Sequence, residues 1–236
     1  MAHPRMLLTL IALAGLVSCP PALADTPMPP RPFKELSPDE EYVFVMLVPE
    51  RHGSAAWFDR RRAEEYRHIQ DTYPQSGLYR NDGSTEPLWT VDWYAHNVHV
   101  ASDGVHLVRL GPWASSFDQE AVSFFAEGEL LRTYKIDELV DQPWSMPRTA
   151  SYFQWRKDEY FNDAELAYTI HTLDGNRFVF DVSSGEVVSR VRPARIFLGL
   201  LGLAALFPAT WTVMRWWRRR RERMGADDSP TGFDRT

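Results

Sequence analysis

The chain has 236 residues, with 32 acidic and 26 basic side chains and a formal net charge of −6. This length allows one ordinary domain or two small ones. The composition, 44% apolar and 25% charged residues, is that of a globular protein, which excludes disordered, collagen-like and coiled-coil chains. Cys19 is the only cysteine, so a scaffold built on disulfide bonds is excluded as well.

Residues 1–24 have the features of a secretory signal peptide. Arg5 gives a positive start, residues 6–17 form an apolar run, and residues 22–24 are an A-x-A cleavage site. The run is shorter than the ~20 residues that cross a membrane. An alternative stays open, because the residues leading up to Cys19 resemble a lipobox in which this cysteine is lipidated. Both interpretations predict export from the cytoplasm.

The next segment, residues 25–36, is a proline-rich linker by composition, and residues 37–191 are predicted to form the folded domain. Between residues 25 and 190 there are 28 acidic and 16 basic side chains, a net charge of −12. Such an acidic domain does not hold nucleic acid by neutralising phosphates, so we expect no nucleic-acid partner.

Short apolar runs separated by glycine turns predict about nine β-strands in an antiparallel arrangement. Residues 42–48 are β-branched and aromatic, which is typical of a strand. The turn at residues 81–83, Asn-Asp-Gly, predicts a type I′ hairpin, which needs a positive φ at both central positions. The paired runs are 77–79 with 88–94, 98–100 with 105–110, 121–125 with 130–136, 166–172 with 178–182, and 178–182 with 187–191.

Two helical segments interrupt this pattern. A helix is expected from Ser54 to about Gln70, with Tyr66 and Ile69 on its apolar side. Residues 136–140 are expected to form one helical turn.

Three segments share a Ser- or Asp-bearing turn followed by a strand. They begin at Ser37, Ser102 and Leu173, and they resemble the S-x-D-G turn of bacterial β-propeller blades of the WD40-like and TolB-like kind. Residues 180–188 resemble the hairpin that closes such a blade. The resemblance implies propeller-type repeats.

A second resemblance covers residues 76–84 and 89–94, together with residues 107–114 downstream. These runs are similar to a family of uncharacterised bacterial exported, membrane-anchored proteins, which implies a class but no activity. A complete propeller needs typically four to eight blades, whereas residues 37–191 supply at most three or four. We therefore expect one all-β, antiparallel, hairpin-rich domain, which is a partial propeller, a sandwich or a small barrel.

Residues 196–214 are 19 consecutive uncharged and mostly apolar residues, long enough to cross a hydrocarbon core of ~30 Å. Six arginines follow between residues 215 and 223, against three between residues 190 and 195. This bias predicts a transmembrane helix over residues 195–217 in the bacterial inner membrane, with residues 218–236 as a cytoplasmic tail. The arginine cluster is expected to contact lipid headgroups.

No sequence motif of a known active site, nucleotide-binding loop or metal centre is present. His96, His99 and His106 lie close together in sequence, but His96 and His99 would point to opposite faces of a strand. The Asp-Gly pairs are explained by turn formation rather than by calcium loops. We therefore predict no metal site, no cofactor and no catalytic residue.

Trp113 and Trp144 are the candidate binding residues. Both follow a proline in a predicted loop, whereas Trp89 and Trp93 alternate along a strand as core residues do. An exposed loop tryptophan can stack on a sugar or anchor a protein partner. The sequence thus favours a membrane-anchored, extracytoplasmic module that binds an unknown protein or glycan. An exported, hydrolase-like enzyme whose polar residues converge only in three dimensions is the alternative.

Overall fold

The computed structural model describes residues 29–48, 63–197 and 214–218. Up to Val191 these residues contain twelve β-strands, two α-helices and two short 3₁₀ turns at Pro143–Ser145 and Asp163–Glu165. The elements are β1 Phe33–Leu36, β2 Tyr42–Met46, α1 Ala63–Thr72, β3 Gly77–Arg80, β4 Trp89–Thr90, β5 Val98–Val100, β6 His106–Leu110, β7 Glu120–Ala126, β8 Glu129–Lys135, α2 Ile136–Leu139, β9 Arg156–Asn162, β10 Ala167–Thr172, β11 Arg177–Asp181 and β12 Glu186–Val191.

The twelve strands form three four-stranded sheets, and each sheet consists of four strands that are consecutive in the chain. The first sheet contains β1 to β4, the second β5 to β8, and the third β9 to β12. Every pair of neighbouring strands is antiparallel. These sheets confirm the prediction of an all-β, antiparallel, hairpin-rich domain.

Strand β2 shows that the first sheet has neighbours on both faces. Val43, Phe44, Val45 and Met46 are all buried, and alternate side chains of a strand point to opposite faces. Phe44 and Met46 belong to an apolar cluster shared with the second sheet, whereas Val43 and Val45 belong to a cluster shared with Ile69 of α1.

Aromatic side chains fill the space between the first and second sheets. The ring of Trp93 lies 6.0 Å from that of Phe44 and 4.9 Å from that of Phe125. The Trp89 indole nitrogen donates a hydrogen bond of 3.0 Å to the carbonyl oxygen of Gly104. Trp89 and Trp93 are therefore half-buried against this apolar cluster. The strand predicted over residues 88–94 is shorter than expected, because β4 ends at Thr90, before Trp93.

A larger apolar cluster joins the second sheet to the third. Phe124 of β7, Tyr168 of β10 and Phe180 of β11 are fully buried in it, and the rings of Phe124 and Phe180 lie 5.2 Å apart. Ile136 and Leu139 of α2 are buried in the same cluster. Burial of each such side chain contributes about 1.5–3 kcal/mol, so this interface holds the third sheet against the second.

Helix α1 covers the face of the first sheet that points away from the second sheet. Tyr66 and Ile69 are its buried residues, as the apolar pattern predicts. Tyr73 follows the helix and packs edge-on against Tyr79 of β3, with 4.8 Å between the ring centres. The predicted start of the helix at Ser54 lies outside the described residues.

The corresponding outer face of the third sheet is open to solvent in the described part of the chain. Tyr160, Thr169 and Val179 are register partners on neighbouring strands of this face. Tyr160 is 64% exposed and Val188 of β12 is 63% exposed. The row of three sheets thus has one covered end and one open end.

The predicted type I′ turn at residues 81–83 is wrong. Gly83 has a φ of 90°, but Asn81 and Asp82 do not have positive φ, because residues 81–88 form a longer connection between β3 and β4. A two-residue turn with positive φ at both positions does join β7 to β8, at Glu127 (50°) and Gly128 (85°).

Two strands were not expected from the sequence. Strand β1 lies within the proline-rich segment and pairs with β2 over its whole length. Strand β9 carries four consecutive charged residues at positions 156–159, so it lacks the apolar alternation by which strands are recognised.

The chain divides into two units after Val191. Residues 193–197 and 214–218 are helical, and the rings of Trp216 and Trp217 pack edge-on at 5.8 Å. No helix in the described ranges is both long and apolar enough to cross a membrane. The predicted signal peptide, residues 198–213 of the predicted span and residues 219–236 of the predicted tail lie outside the described residues.

Candidate functional site

A surface groove of about 780 Å³ lies where the second and third sheets meet the connections between them. It is lined by residues 111–114, which follow β6, by residues 147–149, and by residues 152–159, which lead into β9 and form its first half. We call it the Trp113 groove, because it contains one of the two tryptophans singled out in the sequence.

The backbone after β6 places Trp113 at the surface. A Cβ atom on Gly111 would lie 1.9 Å from the carbonyl oxygen of Glu120, so only glycine fits at this point. Pro112 then turns the chain outward, and the carbonyl oxygen of Ala114 accepts a hydrogen bond of 2.9 Å from the Phe153 amide. Trp113 is therefore presented on a segment that is fixed at both ends.

Trp113 is 48% exposed, and another aromatic ring packs against its indole. Tyr152 lies at nearly a right angle to it, with 5.5 Å between the ring centres. Because edge-to-face pairs are favourable, the indole keeps a defined orientation. About half of the residue's surface is thus available to a ligand.

Beside this aromatic corner, Arg148 lies on a stack of two phenylalanines. The rings of Phe117 and Phe153 are 4.2 Å apart, and the guanidinium of Arg148 lies 5.4 Å from the first ring and 5.2 Å from the second. Cation–π attraction holds the guanidinium in place without neutralising its charge.

The inner part of the groove contains an ion pair between two half-buried groups. Arg156 Nε lies 2.5 Å from Glu159 Oε2. Burial raises the pKa of the Glu159 carboxyl, and the Arg156 charge works in the opposite direction. Next to them, Asp158 contacts the imidazole of His171 on β10, whereas Lys157 is exposed.

Trp144 lies elsewhere. It sits in the 3₁₀ turn Pro143–Ser145, is 78% exposed, and is not among the residues that line the Trp113 groove. The structure therefore does not bring the two tryptophans into one groove.

A second groove, of about 630 Å³, lies between the first and second sheets and includes Trp93 and Phe125. The Arg109 guanidinium covers both rings, at 4.6 Å and 5.1 Å, and its Nη2 lies 2.5 Å from Glu120 Oε2. Since its aromatic faces are already covered by a side chain of the domain, this groove offers less to a ligand than the Trp113 groove.

The three histidines that are close together in the sequence lie in three different environments in the structure. His96 packs edge-on against Tyr94, His99 lies between Phe161 and Tyr168, and His106 Nδ1 is 2.5 Å from an Asp103 oxygen. Within the described ranges, no group of three or more His, Cys, Asp or Glu side chains is arranged to hold a metal ion.

The sequence did not identify the partners of Trp113. Tyr152, Arg148 and the ion pair come from segments about 35 to 45 residues further along the chain. Contacts distant in sequence, such as the stacking of Phe153 on Phe117, bring these segments to Trp113. The one local signal was the charged run at residues 156–159, which is unusual for a strand.

No family model matches the sequence, and no curated protein is significantly similar to it. The function is therefore inferred from the groove and from the order of segments along the chain.

Proposed function

We propose that the protein is a membrane-anchored, extracytoplasmic binding module that holds its ligand in the Trp113 groove. The observation that carries the proposal is the exposed indole of Trp113, fixed by Tyr152 beside an uncovered arginine. Rigid aromatic side chains next to polar groups are the usual anchors of binding sites.

The arrangement of the sheets supports an open, partial propeller as the scaffold. Corresponding turns of the three sheets are linked in series, because the Asp39 amide donates to Ser102 Oγ at 3.2 Å and the Ser102 amide donates to Asp163 Oδ1 at 2.8 Å. Each sheet is a four-strand meander, which is the unit of a propeller blade. Loops at the edges of such blades commonly carry binding residues.

The membrane anchor is supported by the sequence at both ends. The pattern of an export signal at residues 1–24 and an uncharged run at residues 196–214, followed by an arginine cluster, supports a domain outside the bacterial inner membrane and a tail in the cytoplasm. A domain tethered in this way meets ligands of the cell envelope.

The lining of the groove supports binding more than catalysis. Its lining contains no histidine, cysteine or serine. Its two carboxylates, the groups that glycoside hydrolases use, are Asp158 and Glu159, and each is already in contact with another side chain. Glu159, whose pKa is raised by burial, is paired with Arg156 and thereby fixes the guanidinium. These groups position a ligand rather than attack it.

Binding can be tested on glycan and peptide arrays with the full-length protein in detergent micelles. Trp113→Ala should remove binding by removing the stacking surface, whereas the matched variant Trp144→Ala should bind like the parent protein. Unchanged binding by Trp113→Ala, or a loss confined to Trp144→Ala, would contradict the assignment of the groove.

The placement of the domain can be tested by labelling single cysteines. Ser183→Cys adds a thiol in the exposed turn between β11 and β12, and Ser229→Cys adds one in the tail. A membrane-impermeant maleimide should label Ser183→Cys in spheroplasts and Ser229→Cys only after permeabilisation, with the parent protein reporting any signal from Cys19. The reverse pattern would place the domain in the cytoplasm.

A further inference from the structure

The charges that line the Trp113 groove do not balance. Five charged residues contribute to it: Arg148, Arg156, Lys157, Asp158 and Glu159. Arg156 and Glu159 neutralise each other at 2.5 Å, and Asp158 is engaged by His171 of the neighbouring strand. Glu159 is thus paired with one of the three cations, whereas Asp158 contacts an imidazole and keeps its negative charge.

Two cations are left for a ligand. Among the described residues, no carboxylate oxygen lies within 4.0 Å of the side-chain nitrogens of Arg148 or Lys157. Both residues are exposed. In a domain with a net charge of −12 between residues 25 and 190, a groove lined by three cations and two carboxylates has one net positive charge and attracts a negatively charged ligand locally.

The apolar part of the groove is a flat face rather than a deep pocket. The half-exposed ring of Trp113 and the ring of Tyr152 meet at nearly a right angle, and the groove is open to solvent. A flat ring that presents C–H bonds on one face can pack on such an open aromatic surface, whereas an aliphatic side chain is buried better in an enclosed pocket. The Thr149 hydroxyl is bonded to the backbone of Tyr152, and the Gln154 amide nitrogen donates to the Arg156 carbonyl oxygen at 3.3 Å. The exposed Gln154 amide has a further N–H and an oxygen for ligand hydroxyls.

We infer that the Trp113 groove binds an oligosaccharide that carries carboxylate groups, with one sugar ring on Trp113 and a carboxylate on Arg148. This inference rests on the proposed function and specifies its ligand class. The guanidinium is suited to the task, because its planar donors match a carboxylate and the phenylalanine stack has already restricted its orientation.

Three probes of four units each distinguish the contribution of the sugar rings from that of the negative charge. Tetragalacturonate has the sugar rings and the charge, its fully methyl-esterified form has the rings alone, and tetraglutamate has the charge alone. Binding of each is measured by titration calorimetry with the full-length protein in detergent micelles. Tetragalacturonate should bind roughly tenfold or more tightly than either of the others, because only it uses both the indole and the cations.

Matched variants locate the contacts. Trp113→Ala and Arg148→Gln should each weaken tetragalacturonate binding roughly tenfold, and Arg148→Gln should also remove most of its salt dependence. Arg80→Gln, which removes an exposed arginine of the first sheet, and Trp144→Ala should leave binding unchanged. Unfolding temperatures of all four variants show whether any loss comes from misfolding.

Each of the other outcomes would contradict one part of the inference: carboxylate recognition, sugar recognition or the ligand class. Equal binding of the methyl ester would show that the carboxylate is not recognised, and equal binding of tetraglutamate would show that the sugar is not. Failure of all three probes would overturn the ligand class, whereas the proposed function would fall only if the array experiment also showed no binding that depends on Trp113.

Discussion

The two ends of the row of sheets differ, although each end is a four-strand antiparallel meander. At the first sheet, strand β2 is buried on both faces, because the second sheet covers one face and α1 covers the other. At the third sheet, the equivalent strand β10 alternates between buried and half-buried residues, because only one of its faces is covered. The apolar pattern of the second strand of each end sheet thus indicates whether one or both faces of that sheet are covered.

The largest expected effect is at the covered end. Ile69→Ala should lower the free energy of unfolding by about 2–4 kcal/mol, because it leaves a cavity between α1 and the valines of β2. Urea denaturation of the full-length protein measures the change. A loss below about 1 kcal/mol would mean that α1 is not firmly packed on the first sheet.

The interface between the second and third sheets should show in the pH dependence of stability. Burial, and next the nearby Arg156 charge, lower the pKa of His99 in the folded state. Below a pH of about 6.5 the unfolded chain takes up a proton that folded His99 resists, so the free energy of unfolding falls as the pH falls. Glu159, with its raised pKa, works in the opposite sense.

The variant His99→Phe isolates this contribution. Phenylalanine can keep the ring contacts with Phe161 and Tyr168 but does not titrate. The free energy of unfolding of this variant should therefore fall less between pH 7 and pH 5 than that of the parent protein. The matched variant His68→Gln changes an exposed residue of α1 and should keep the parent slope. An identical slope for His99→Phe and the parent would show that His99 is accessible to protons.

A smaller effect is expected at the covered face of the third sheet. The Tyr168 hydroxyl is buried and has no hydrogen-bond partner among the described residues. Tyr168→Phe should therefore raise the free energy of unfolding by about 1 kcal/mol, because it removes an unsatisfied polar group and keeps the ring. A destabilised variant would show that the hydroxyl has a partner, such as a buried water.

The smallest effect is expected at the open end. Tyr160→Ser changes a residue that is 64% exposed on the outer face of the third sheet, and it should alter the free energy of unfolding by no more than about 0.5 kcal/mol. A loss of 2 kcal/mol or more would remove the difference between the two ends, because it would mean that this face is covered.

Strands with alternating apolar residues could be predicted from the sequence. Strands whose conformation depends on pairing with an adjacent strand could not. Strands β5, β7 and β11 lie where the patterns place them. Strand β9 was missed because its charged side chains face the Trp113 groove and solvent, and its strand conformation depends on pairing with β10. The turn at residues 81–83 was misjudged because Asn-Asp-Gly also suits longer connections.

The site was only partly predictable for a similar reason. Trp113 and Trp144 have the same local signal, a loop tryptophan after a proline, yet of the two only Trp113 lines the groove described above. The difference arises from the connection that precedes β9, in which Tyr152 packs on Trp113 and the Phe153 amide donates to the Ala114 carbonyl oxygen. Contacts between segments so distant in sequence are fixed by tertiary packing, which local patterns do not contain.

The most direct test of the Trp113 groove compares the two tryptophans within one molecule and works whatever the ligand is. Hydroxyl-radical footprinting of the protein in intact cell envelopes and after purification gives the oxidation of Trp113 relative to that of Trp144. A ligand in the groove should lower this ratio in the envelope several-fold, because it covers Trp113 and leaves Trp144 exposed. An equal ratio in both preparations would contradict a bound ligand at Trp113, and a selective protection of Trp144 would move the binding site to the other loop.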